Sequence, residues 1–78
     1  SDVVLEDRRS RMEFESLYSV IQCQDVINTM DIPPEWRIHA NCHYANYEKE
    51  GERVIFLRAS ATDQYGYILK LMKEKGLA

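Results

Sequence analysis

Cysteine, proline and glycine are scarce in this sequence, and long apolar segments are missing from it. Its 78 residues include two cysteines, two prolines and three glycines. Two cysteines are too few for a disulfide framework, which favours an intracellular, cytoplasmic setting. No apolar run approaches the ~20 residues that a membrane-spanning helix needs, and no signal-peptide pattern is visible. These features predict a small intracellular protein that does not contact a membrane.

The charge is moderate and unevenly distributed. Ten Lys and Arg residues against thirteen Asp and Glu residues give a formal net charge of −3 at pH 7. Residues 1–35 carry a balance of −5, whereas residues 36–78 carry +2. Hydrophobic residues at 45% and charged residues at 29% are typical of a folded globular chain. The balance excludes a strongly basic domain but leaves room for a local anion-binding site.

A long helix is predicted from about residue 11 to residue 30, after a charged arm or linker over residues 1–9. Ser10 and Glu13 fit the capping box that satisfies free amides at a helix start. Pro33-Pro34 would then end the helix, because proline lacks an amide donor and disfavours a helical residue before it. Residues 10–78 are expected to form one small domain.

Two apolar stripes, which begin at Phe14 and at Val20, lie on nearly opposite sides of this predicted helix. Three explanations remain open: a helix buried on two sides, a kink near Gln24-Asp25, or a strand over residues 17–23. A second buried face would be covered by a partner protein, by the arm or by the final helix.

An antiparallel β-hairpin is predicted over residues 36–47 and 53–61. Apolar and polar side chains alternate along the first segment, as they do on a half-buried strand. A register that places Cys42 opposite Leu57 makes every facing pair on one side apolar or nearly so. A slip by one residue would put Arg58 opposite Cys42 on the buried face, which is costly.

A final helix is predicted between a cap at Ser60 and a left-handed closing residue at Gly76. The fold class is therefore α+β in the order α-β-β-α, with two helices on one face of the hairpin and a dimer with a continued sheet as one option. This order is loosely similar to that of double-stranded-RNA-binding domains. Those domains have a third strand and a lysine-rich start to their last helix, where this chain has residues 62–65 (TDQY).

The sequence offers no convincing metal or catalytic site. On a strand, His39 and His43 would lie ~13 Å apart at ~3.3 Å per residue, too far to bind one zinc ion. Only a helical conformation of residues 39–43 would allow such a site, and the hairpin pattern opposes it. There is no nucleophile elbow and no phosphate-binding glycine loop. We therefore expect no enzyme activity, no metal and no cofactor. A Cys23–Cys42 disulfide is an alternative to two free thiols, with Cys42 expected as a small core residue.

The open face of the predicted hairpin is the candidate binding surface. It comprises Arg37, His39, Asn41, His43, Tyr47, Phe56 and Arg58. Aromatic and arginine side chains are enriched at protein interfaces, and the same groups can stack on bases and hold phosphates. The leading hypothesis is a non-enzymatic protein-interaction or regulatory module that binds another protein or a second copy of itself. The alternative is an RNA-binding domain that uses this face.

Overall fold

The computed structural model describes residues 2–78, with residues 2–6, 15 and 16 described by their backbone alone. This part of the chain has an all-α fold. Five α-helices and one short 3₁₀ helix follow one another. They are α1 (Asp2–Leu17), α2 (Val20–Thr29), α3 (Pro34–Ala45), the 3₁₀ helix (Tyr47–Lys49), α4 (Glu50–Arg58) and α5 (Ala61–Glu74). No strand occurs in residues 2–78, so the α+β prediction is wrong.

The predicted hairpin is replaced by two helices, α3 and α4. Residues 36–45 belong to α3, and residues 53–58 belong to α4. Pro34 is the first residue of α3, where its missing amide costs nothing and its fixed φ suits a helix. The prolines therefore begin a helix, whereas α2 has already ended at Thr29. The continued sheet and the likeness to double-stranded-RNA-binding domains fail with the hairpin.

The predicted helix over residues 11–30 is divided into α1 and α2 by Tyr18 and Ser19. The Ser19 hydroxyl accepts a hydrogen bond from the Gln22 amide at 3.2 Å and caps α2. The break thus lies earlier than the kink considered at Gln24-Asp25, and residues 17–23 are not a strand. Residues 2–9, the predicted arm, lie within α1.

The final helix is confirmed at both ends. The Ser60 hydroxyl accepts a hydrogen bond from the Asp63 amide at 3.2 Å. At the other end Gly76 has a φ of 73°, and the Leu77 amide donates to the Met72 carbonyl at 2.8 Å. These bonds form a Schellman motif, whose left-handed residue favours glycine.

Helices α2 to α5 pack around one apolar core. Its buried members are Cys23, Ile27, Ile32, Ala40, Tyr44, Phe56, Ile68 and Met72. The Tyr44 and Phe56 rings lie 4.8 Å apart and join α3 to α4. The indole of Trp36 donates to the Leu77 carbonyl at 3.3 Å, which ties the start of α3 to the end of the chain.

A buried arginine links three segments of this framework. Arg53 of α4 donates from Nε to the Tyr18 carbonyl at 3.1 Å, and from Nη1 to the Tyr44 and Asn46 carbonyls, each at 3.0 Å. These carbonyls lie at or just beyond the carboxyl ends of α1 and α3, where a positive charge is favourable. Arg53 therefore fixes the α1–α2 turn and the end of α3 relative to α4.

Candidate functional site

The seven residues predicted to share one binding surface are distributed over three elements. Arg37, His39, Asn41 and His43 lie on α3, Tyr47 lies in the 3₁₀ helix, and Phe56 and Arg58 lie on α4. Phe56 is fully buried in the core, whereas Arg58 and Tyr47 are exposed. Because successive residues of a helix point in different directions, no common open face of the predicted kind exists.

Two of these residues hold α3 against the end of α2. The Arg37 guanidinium donates to the Met30 and Ile32 carbonyls at 3.4 and 3.3 Å. The Asn41 amide donates to the Asn28 side-chain oxygen at 3.1 Å. Both side chains therefore serve the packing of α2 against α3 in this structure.

A groove between α3, α4 and α5 is the best-formed concave site. It has a volume of about 220 Å³. Its lining residues are His43, Tyr44, Glu52, Ile55, Phe56, Tyr67, Lys70, Leu71 and Glu74. Only His43 and Phe56 of this set were predicted as site residues, because the others come together through packing of three helices. We refer to this site as the groove.

One rim of the groove is an ion-pair cluster. His43 Nε2 is hydrogen-bonded to a Glu52 carboxylate oxygen, and Lys49 Nζ lies 3.7 Å from the other oxygen. The hydrogen bond with His43, and secondarily the nearby charges of His43 and Lys49, lower the pKa of Glu52 below its ordinary value. Glu52 therefore stays ionised at neutral pH, with His43 and Lys49 as its partners at this rim.

Tyr44 forms a buried part of the groove wall. Only 5% of Tyr44 is exposed, and its ring packs against that of Phe56. Burial raises the pKa of Tyr44, and the neighbouring Glu52 carboxylate raises it further. The phenol is thus neutral at physiological pH and can donate or accept one hydrogen bond.

The remaining groove walls combine apolar and charged groups. Ile55 is 57% exposed and Tyr67 is 40% exposed, so both present apolar surface to solvent. Lys70 and Glu74 lie one turn apart on α5, and neither forms an ion pair within the described side chains. Two carboxylates, of Glu52 and Glu74, and the ammonium of Lys70 line the groove, and His43 and Lys49 lie beside Glu52.

A second candidate surface is an apolar strip along α1 that continues onto α2. Its members are Met12, Phe14, Leu17 and Ile21, and we call it the α1 strip. Met12, Leu17 and Ile21 are each between 64% and 69% exposed. Exposed large apolar side chains are unremarkable singly, but here four occur within ten residues, with Phe14 and Leu17 on one side of α1 and Met12 on nearly the opposite side.

Helix α1 stands apart from the other helices. The molecule measures 51 × 21 × 16 Å, and a 16-residue helix accounts for ~24 Å of such a length. An open cleft lined by Ser10, Arg11, Phe14 and Glu50 lies between α1 and the start of α4. The Arg53–Tyr18 hydrogen bond anchors α1 at its carboxyl end. Most of α1 therefore lacks the close packing that joins α2 to α5.

The two cysteines are in different environments. Cys23 is fully buried, and burial raises the pKa of its thiol to about 11 despite the opposing effect of Arg53. Cys42 is exposed, contrary to its predicted place in the core. Both are free thiols. Among the residues that the structure describes, no cluster of three or more His, Cys, Asp or Glu side chains could hold a metal ion.

Comparison of the chain with protein-family models, with curated proteins and with solved structures gave no significant match. Across residues 2–78, no helix has both the length and the apolar character needed to cross a membrane.

Proposed function

We propose that this chain is a non-enzymatic protein-interaction module and that α1 is its contact element. The observation that carries this proposal is the α1 strip, which has three exposed apolar side chains on a helix that the rest of the chain leaves largely unpacked and a fourth, Ile21, at the start of α2. An isolated helix of about this length is marginal in water. Packing of α1 against a partner would both stabilise the helix and bury the strip.

The spacing of the strip supports a helix-recognition mode of binding. Phe14 and Leu17 are three residues apart on one face of α1, and Ile21 follows in the first turn of α2, beyond the break at Ser19. Such intervals are typical of the apolar anchors that a helix inserts into the groove of a partner. The partner is another protein or a second copy of this chain.

The RNA-binding alternative loses the surface on which it rested. Phe56, the proposed base-stacking residue, lies inside the core. Arg37, a proposed phosphate ligand, is hydrogen-bonded to two carbonyls at the end of α2. We therefore do not propose RNA binding through these residues.

Site-specific photo-crosslinking tests the proposal. A photoreactive phenylalanine analogue at Met12 is expected to give a discrete protein adduct on irradiation in an extract of the source cells or in concentrated pure protein. The same analogue at Thr62, which is exposed at the start of α5, is the matched control and should give none. Absence of an adduct from Met12 in both settings, or equal adducts from both positions, would contradict the proposal.

A further inference from the structure

The groove offers a site for a cationic side chain with an aliphatic stem. Ile55 and Leu71 provide apolar walls on which such a stem can lie. Glu52 is held ionised at one rim, and Glu74 supplies a second carboxylate from α5. The side chain of Tyr44 also lines this space.

The chemistry of the groove favours arginine as that side chain. A guanidinium sheds water more readily than an ammonium, reaches two acceptors at once and stacks on aromatic rings. Tyr67 supplies an aromatic ring at the groove.

Helix α1 carries arginines of this kind beside the α1 strip. Arg8 and Arg11 are exposed, and neither forms an ion pair with any side chain that the structure describes. Positions 8, 11 and 12 share one face of the helix because they are separated by three and four residues. The two arginines therefore stand next to Met12, itself 69% exposed.

The α1 helix does not fill the groove of its own chain. Its carboxyl end is fixed to α4 by the hydrogen bond between Arg53 and the Tyr18 carbonyl. Its residues 10–14 border the separate cleft at Glu50, and no residue of that cleft lines the groove. Both halves of a complementary contact are thus present on one chain and unpaired with each other.

We propose that the groove receives α1 of a second copy, with Arg8 and Arg11 directed to Glu52 and Glu74. The inference rests on the proposed role of α1 as a contact element and names its partner. A two-fold axis makes the exchange reciprocal, since each copy supplies one α1 and one groove. Two such contacts are needed, because one side-chain pocket is small against the ~800 Å² per partner of a stable interface. Met12, which lies beside the two arginines, adds apolar area to each contact.

The oligomeric state of charge-exchange variants tests this arrangement. The wild-type chain is expected to be a dimer by size exclusion with light scattering, and to dissociate as salt increases. One variant carries Arg8→Glu and Arg11→Glu, which makes α1 acidic. The other carries Glu74→Arg, which makes the groove basic. Each variant alone should associate at least about tenfold more weakly than the wild type, because like charges then meet.

Mixing the two variants provides the decisive measurement. The acidic α1 of one then faces the basic groove of the other, while the unchanged α1 and groove form the second contact. A one-to-one heterodimer is therefore expected in the mixture. Lys73→Glu, an exposed charge reversal on α5 outside the groove lining, is the matched control and should leave the dimer unchanged.

Three results would overturn the proposal: a wild-type monomer at millimolar concentration, a dimer that withstands both variants, or variants that weaken association without recovery on mixing. Circular dichroism checks the fold of each variant. If Glu74→Arg unfolds, Glu74→Gln replaces it. Glu74→Gln should weaken the dimer, and mixing with the variant whose α1 is acidic should not restore association. A monomer that still crosslinks to another protein from Met12 would refute the second-copy inference and leave the proposed function standing.

Discussion

Replacement of the buried arginine by methionine is the sharpest test of the framework. Arg53→Met keeps a long apolar stem but removes the guanidinium that donates to the Tyr18, Tyr44 and Asn46 carbonyls. These carbonyls remain after the substitution and lose their donors. The bond to Tyr44 is buried, whereas the other two are partly buried, so water can replace them in part.

The expected cost follows from these three contacts. An unsatisfied buried carbonyl costs about 1–3 kcal/mol, and hydrogen bonds from a charged donor contribute about 1.5–3 kcal/mol each before arginine desolvation is subtracted. We therefore expect the free energy of unfolding to fall by roughly 2–4 kcal/mol. A chain of this length is stable by roughly 4–12 kcal/mol in total. The corresponding fall in Tm is roughly 10–25 °C.

Urea unfolding followed by far-ultraviolet circular dichroism measures this loss. Arg58→Met removes an exposed arginine from the same helix and should change the free energy of unfolding by less than about 0.5 kcal/mol. Arg53→Lys keeps the charge but cannot span three carbonyls, so an intermediate loss is expected. A loss below about 1 kcal/mol for Arg53→Met would show that the guanidinium does not hold these segments together.

Two further predictions concern thiol reactivity and pH. Cys42 should react with a thiol reagent in the native protein, whereas Cys23, which is buried with a pKa of about 11, should react only on unfolding. Equal reaction rates of the two thiols in the native protein would contradict the burial of Cys23 in the core. Because the folded-state pKa of Glu52 is lowered, its pairing with His43 stabilises the fold above about pH 4.5 and is lost as pH falls through that lowered value. On acidification, the free energy of unfolding of the wild type should thus fall by about 0.5 kcal/mol more than that of Glu52→Gln, a small difference because the carboxylate is half exposed. Equal losses for the two proteins in urea titrations would refute this pairing.

Residues 36–45 show why the hairpin prediction was wrong. Trp36, Ala40 and Tyr44 are four residues apart, and residues four apart share a face in both a strand and a helix. Those three side chains therefore face the core in either structure. The two structures differ at Ile38 and Cys42, which a strand would bury and which α3 exposes. Apolar composition at these two positions favoured the strand, although both lie at the surface.

The same ambiguity affected α4. On a strand Ile55 and Leu57 would be buried and Phe56 would be exposed, whereas the helix buries Phe56 and leaves Ile55 57% exposed.

The groove could not be predicted for a related reason. Glu52, Tyr67 and Glu74 are separated along the chain, and packing of α4 against α5 alone brings them to one site.

The sequence by itself determined the local boundaries of the last helix. Ser60 supplies a hydroxyl to a free amide, and Gly76 tolerates the positive φ that closes α5, because both effects act within a few residues. Only the tertiary structure decided that residues 36–58 are helical and which of their apolar side chains are buried. The physical reason is that period-two and helical patterns coincide at every fourth residue, so burial against α2 and α5 had to distinguish them.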